Sequence, residues 1–468
     1  MTAAVREVPA LEANRELVLP GSQERTLGNG LTVIVIERKS VPLVEVRLRV
    51  PFGRSTLDPA YVARSALMSQ TLFSGTPTMS TVDIAAALQT VGGGLSASVD
   101  SDRLLISGNG LAEGLGRMLE IMADVVTSAT YPESEVETER ARLADRIQVA
   151  QSQPAHLVRV ALLKRIYGTH PYAVQTPATG DVVGLTQADM LALHSSRVHP
   201  SGATLVIVGD IDATAALDLA EQSLSTWDGA GAAEELPSTP ALVPGATVLA
   251  NRPGSVQSSM RLALPAVTRT HPDHAALQLA NLIFGGYFSS RWTENIREDK
   301  GYTYGPHSVV EHSIAGSNVI LSAEVATGVT APALLETWYE LGRLATLPPT
   351  PEELEQARQY ALGSLLLSMS TQAGLAGLLS TYAGYGLRLD FLAQHTARLA
   401  SATLDEVAAA GATYLAPAKA VTVILGDADV IESSLATLGP VAPVASDPPD
   451  GAAPGSPEAD AALDVAAP

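Results

Sequence analysis

A chain of 468 residues exceeds what one hydrophobic core ordinarily organises, so two or more domains are expected. Of its residues 46% are hydrophobic but only 4% aromatic, so the apolar content is Ala, Leu and Val, suited to helices packed on a sheet and poorly suited to stacking bases. With 29 basic against 49 acidic residues the net charge is −20, which repels a polyanion, and no nucleic-acid partner is expected.

Residues 1–21 read as an N-terminal arm, MTAAVREVPALEANRELVLPG, with Glu and Arg throughout and no unbroken apolar run of a secretory signal. No later stretch approaches the roughly 20 apolar residues of a membrane span. A soluble, cytoplasmic protein without membrane contact is therefore expected. A first domain follows over 22–228. GNGLTVIVIE at 28–37 places an Asn-Gly turn before a β-branched run, and LVEVRLRV at 43–50 alternates apolar with polar, so both predict strands. Helices are predicted over 60–72 and 81–91, then a strand pair in SASV and RLLISGNG after the Gly92–Gly94 turn. Helical patterns run over 111–127 and 132–152, and SGATLVIVGD is a buried strand before a helix at 212–225.

The second half echoes the first. RLRVP at 47–51 recurs as RLALP at 261–265, and VGDID at 208–212 as LGDAD at 425–429, offsets of 214 and 217. Pro132-Glu133 is answered by Pro351-Glu352, where Thr350 and Glu353 have the spacing of a capping box. The chain is therefore predicted to be a tandem duplication of two similar α+β domains, each a mainly antiparallel sheet with helices packed on one face. Residues 229–245, rich in Gly, Ala, Pro and Ser, read as the linker, and 246–440 as the second domain. Residues 441–468, with five acidic residues and no Lys or Arg, read as a disordered acidic tail.

Chemistry concentrates in GGYFSSRWTENIREDKGYTY at 285–304. Ser289 or Ser290 can cap a short helix whose last turn carries Arg297 and Lys300 at the negative end of the helix dipole. Gly301 can end it in a left-handed conformation, with a strand predicted from Tyr302 onward. A helix end and a strand start seven residues apart can aim the Arg297 guanidinium and the Tyr304 phenol at one place. Other chemistries lack residues: there is no cysteine, no G-x-S-x-G, and no Lys beside Gly92–Gly94 to make a phosphate loop. None of the nine histidines forms HxxEH or HxxxH, and His194, His199, His271 and His274, at helix ends, are given structural roles.

SRWTENIREDKGYTY resembles the second-half motif of the pitrilysin-type (M16) zinc peptidases, the family of mitochondrial processing peptidase, in which an Arg and a Tyr at this spacing grip the substrate. LFSGT at 72–76 is similar to the segment just after the family's HxxEH. That resemblance puts Ala66, Ser69 and Gln70 where the two histidines and the glutamate stand. By ERARLADRI it puts Arg146, next to Asp145, where the third zinc ligand stands. Gly285 and Gly286, between Phe284 and Phe288, resemble the glycine-rich loop of the family's non-catalytic subunits and are otherwise a helix-to-helix turn. The resemblance implies a non-catalytic subunit with no metal or cofactor of its own. A homologous catalytic M16 subunit would hold the zinc, Arg297 and Tyr304 would be catalytic, and Gly285, Gly286 and Phe288 would bind a peptide substrate. The alternatives are a structural relative without proteolysis and a self-sufficient zinc peptidase with other ligands.

Overall fold

The structure, a computed structural model, describes residues 18–229, 231 and 234–444. One sheet holds β1 (Ser22–Thr26), β2 (Thr32–Glu37), β3 (Leu43–Pro51), β4 (Gly94–Val99), β5 (Arg103–Leu111) and β6 (Thr204–Gly209) in the order β1-β2-β6-β3-β5-β4. The other holds β7 (Thr247–Asn251), β8 (Gln257–Pro265), β9 (His307–Ser313), β10 (Gly316–Ala326), β11 (Val421–Gly426) and β12 (Val441–Pro443) in the order β12-β7-β11-β8-β10-β9. Apart from the first strand of each list the two orders are the same. RLRVP and RLALP end the matching strands β3 and β8, while VGDID and LGDAD leave the matching strands β6 and β11. Inside each five-strand core one pairing is parallel, β2 with β6 and β7 with β11, and the others are antiparallel.

The sixth strands differ. β1 adds antiparallel to β2, whereas β12 adds parallel to β7. β12 corrects the sequence reading, which gives Val441–Pro443 to the tail; the short run pairs with the open edge of β7, and residues 445–468 lie outside the described residues.

β6 and β11 are buried at all six positions, as strands covered on both faces must be. Each domain lays its own helices on one face of its sheet: Val33 and Val35 belong to the core formed with the helices Pro59–Thr71 and Leu115–Ser128. The alternate residues Ile34, Ile36, Val206 and Val208 meet Leu375, Leu379 and Tyr382, on the helix Gln372–Ala383 of the other domain. Reciprocally, Pro154–Tyr167 of the first domain packs Val158, Leu162 and Ile166 against Ala263, Val421 and Val423 of the second. Polar hooks hold the exchange in register. Arg38 donates to the carbonyls of Met369 and Ser370, Gln372 to that of Arg38, and Arg159 grips Glu311 through two bonds of 2.8 and 2.9 Å.

Among its described residues, the segment 229–245 has no helix or strand and is fastened along its length. Glu234 accepts from the Ser55 amide and pairs with Arg197, His170 meets the Pro237 carbonyl, and Arg165 donates to that of Val243. Because each sheet borrows a helix, residues 22–228 expressed alone should not fold as a monomer: four large apolar side chains of β2 and β6 would face water, at about 1.5–3 kcal/mol each. A sharp, cooperative thermal transition from a monomeric 22–228 fragment would contradict this. Among the described residues no single helix is long and apolar enough to cross a membrane. Pro351–Met369 and Gln372–Ala383 qualify only together, bent by 106°.

Candidate functional site

The helix His274–Asn281 continues into a wider turn, Leu282–Gly286, that brings the backbone against Trp292. A Cβ on Gly285 would lie 2.9 Å from Trp292 Cε3 and 3.2 Å from Ser308 Cβ, and one on Gly286 would lie 3.0 Å from Asn281 Nδ2. Both glycines are thus accounted for by close packing within the chain. Phe284 stacks on Trp292 at 5.4 Å, and Trp292 Nε1 donates to Thr337.

Ser290 stands at the start of the single turn Arg291–Thr293, but its hydroxyl donates to Thr293 Oγ1 at 2.9 Å and caps no amide, unlike the sequence expectation. The buried Arg291 clamps the turn to the base of the helix Pro351–Met369, donating twice to Glu353 at 2.6 and 2.7 Å and to two carbonyls. Burial alone would raise the Glu353 carboxyl; the hydrogen bonds from Arg291 and the Thr350 amide outweigh it and hold the group below its ordinary value.

A second wide turn, Glu294–Asp299, carries Arg297. Gly301 ends it at φ +65, with the amides of Gly301 and Tyr302 donating to the carbonyls of Arg297 and Ile296, as the glycine predicts. The chain then runs through Gly305-Pro306, and β9 begins only at His307 rather than at Tyr302. Pro306, lacking an amide hydrogen, cannot extend the ladder backward. Tyr304 therefore sits in the connecting segment, beside Thr303, which bridges to Val325.

This local path brings three predicted residues together. The Arg297 guanidinium lies 4.4 Å from the centre of the Phe288 ring and 4.8 Å from that of Tyr304. Each such contact is worth about 0.5–1 kcal/mol at an exposed site. Phe288 is 61% exposed and Tyr304 85% exposed, and among the described residues the Tyr304 hydroxyl has no hydrogen-bond partner. Arg297 Nε reaches Glu298 at 3.2 Å. Gly285 lies buried beneath this group and Gly286 is half-buried beside it.

Ala66, Ser69 and Gln70 lie on the helix Pro59–Thr71, which packs against Glu133–Gln151, the helix of Arg146. Ser69 is buried and donates to the Ala66 carbonyl, Gln70 is exposed, and Arg146 approaches Glu139 at 4.0 Å. A methyl group, an internally bonded hydroxyl, an amide and a guanidinium do not make a zinc ligand set. Among the described residues no group of three or more His, Cys, Asp or Glu is placed to hold a metal ion.

Three histidines from separate segments meet in the second domain. His274 Nε2 lies 3.2 Å from His312 Nε2, His274 stacks on His395 at 4.8 Å, and Phe391 stacks on the far side of His395. Burial and nearby Arg269 push the three imidazoles down, His274 to about 2, His312 to about 3 and His395 to about 4. Sequence could place His274 at a helix start; the other two, 38 and 121 positions on, carry no shared motif.

The family model described as Insulinase (Peptidase family M16) matches residues 32–180, and that described as Peptidase M16 inactive domain matches residues 184–360. The chain belongs to peptidase family M16. As an M16 chain it is 24% identical over 351 residues to the uncharacterized zinc protease YmxG of Bacillus subtilis, covering 74% of this chain and 84% of that one. Its fold is similar to a peptidase M16 inactive domain from Pseudomonas fluorescens, at a TM-score of 0.80 and 24% identity over 87% of this chain and 98% of the other. A protease from Helicobacter pylori matches at 0.81 and 20% identity, over 87% of this chain and all of its own.

Proposed function

We propose that this M16 chain is the non-catalytic subunit of a heterodimeric zinc peptidase, lending Arg297 and Tyr304 to a homologous subunit that bears HxxEH. The observation that carries the reading is the exposed Arg297 guanidinium seated between Phe288 and Tyr304, with the phenol's hydroxyl unpartnered among the described residues. An exposed Arg held by two exposed rings gains little for stability and is already oriented for a ligand. The residues at Ala66, Ser69, Gln70 and Arg146 agree, since a subunit that leaves metal chemistry to its partner needs no ligands there. The relatives' names support both halves of such a pair, zinc proteases on one side and an inactive domain on the other.

In this reading the partner's zinc supplies the attacking water. The residues of this chain hold the peptide: Arg297 donates to a backbone carbonyl, and Tyr304 donates to the oxygen on which negative charge grows. Preorganised donors aimed at that charge are worth about 3 kcal/mol each, because they need no reorientation as the reaction proceeds. Gly285, Gly286 and Phe288 shape the wall against which the peptide lies.

Purified alone, the chain should hold no stoichiometric zinc and hydrolyse no peptide. Elemental analysis after dialysis, with a peptide-cleavage assay on the same sample, checks both. One tightly held zinc per chain, or cleavage by the chain alone, would overturn the assignment.

A further inference from the structure

Beside Ala66 the first domain encloses a cavity of about 590 Å³, within the range of about 300–1,000 Å³ that ligand pockets occupy. Its walls are mainly apolar: Phe52, Tyr61, Val62, Ala66, Val99 and Val174. The charged groups that line it are already engaged. Asp58 accepts from the Tyr61 amide at the start of its helix and pairs with Arg54 and Arg64. Arg54 lies over the Tyr61 ring at 4.4 Å, and Asp100 accepts from Arg103 and from the Asp102 amide. The cavity therefore offers no free charge. It offers one free polar group: Ser65, only 3% exposed, lines it, and its hydroxyl makes no hydrogen bond of proper geometry although the Tyr61 hydroxyl, which donates to the Phe52 carbonyl, lies beside it.

We propose that this cavity seats an uncharged aromatic or branched aliphatic side chain of a bound peptide, with Ser65 donating to an oxygen of that ligand. A buried hydroxyl without a partner costs stability, and a ligand oxygen at Ser65 removes that cost. An ionised side chain is rejected because it would surrender its hydration to a wall with no counter-charge to spare. Ala66 is what leaves the room, since any longer side chain at that position on the helix would project into the space. That the ligand is a peptide rests on the reading of the chain as a peptide-binding subunit; the preference for a neutral apolar group rests on the cavity alone.

The test uses the chain without its partner. Methyl NMR on Val62, Val99 and Val174 is followed while N-acetyl-tyrosinamide, N-acetyl-leucinamide, N-acetyl-glutamic acid amide and N-acetyl-lysinamide are titrated separately. The neutral probes should give saturable shifts with an affinity at least about tenfold above the charged ones. Ser65→Ala should weaken N-acetyl-tyrosinamide, and Ala66→Phe should abolish binding of the neutral probes with the melting temperature kept. If Ala66→Phe fails to fold, the smaller Ala66→Leu serves in its place. Absence of saturable shifts, equal affinity for charged probes, or full affinity in a folded, cavity-filled variant would each overturn the proposal. Arg297→Ala and Tyr304→Phe should leave probe binding unchanged, so failure here and failure of the shared-site reading are separable.

Discussion

Between about pH 6.5 and pH 5 the chain should lose stability by up to about 4 kcal/mol for each unit of acidification, enough to unfold a domain of ordinary stability. The cause is the cluster of His274, His312 and His395, whose folded-state values of about 2, 3 and 4 lie far below the ordinary histidine value of 6.5. Unfolded, all three bind protons below 6.5; folded, they stay neutral until the pH reaches their depressed values. Stability is therefore full above 6.5 and is lost as the pH falls, at about 1.4 kcal/mol per unit for each histidine. His194, also lowered by burial, adds in the same direction. Arg269 and Arg398 oppose any charge that forms in the cluster. Carboxylates with depressed values, such as Glu353 and Asp189, act in the same direction only at lower pH, so the window isolates the histidines. Asp102, raised by burial, has the opposite sign but titrates as a single group. Urea midpoints measured across the window should fall steeply for the native chain and about half as steeply for the double variant His312→Gln, His395→Gln. A flat profile would contradict the account.

In the assembled pair, Tyr304→Phe should lower kcat by about 10²-fold or more, because it removes one hydroxyl donor from the growing oxyanion. Tyr304 is 85% exposed and its hydroxyl has no partner among the described residues, so melting temperature and assembly should hold. Arg297→Ala should raise KM and lower kcat together, since it deletes a donor that acts on the bound peptide and in the transition state. Lys should rescue only partly, lacking the planar fork that stacks between Phe288 and Tyr304. If the two residues served packing alone, both variants would be less stable and fully active per folded pair.

Sequence made the duplication legible because the matching strands carry their identity locally: RLRVP and RLALP, with the two Gly-Asp strand ends, fall at equivalent places in the two sheets. Gly301 was legible as a helix stop because a left-handed residue there favours glycine. What long-range packing decides was not. Pro154–Tyr167 shows no simple apolar stripe, since it lies between its own domain and the other domain's sheet, and its partners Ala263 and Val421 are a hundred or more residues away. β12 exists because β7 has an open edge, not because VAP favours a strand. The wide turns at Leu282–Gly286 and Glu294–Asp299 have no signature in side-chain spacing, and they are what carry Phe288 and Arg297 to one ligand-facing group with Tyr304. The Arg-Tyr spacing announced a pair; that Phe288 completes a sandwich around the guanidinium needed the backbone path.

The central claim, that this chain completes an active site it cannot form alone, is tested most directly by mixing it with an HxxEH-bearing M16 homologue from the same genome and measuring peptide hydrolysis by each chain and by the mixture. The account predicts negligible turnover from either chain alone and strong turnover from a one-to-one complex. It also predicts that turnover is lost when Tyr304→Phe replaces the native chain. A homologue fully active without this chain, or a complex indifferent to Tyr304, would contradict it.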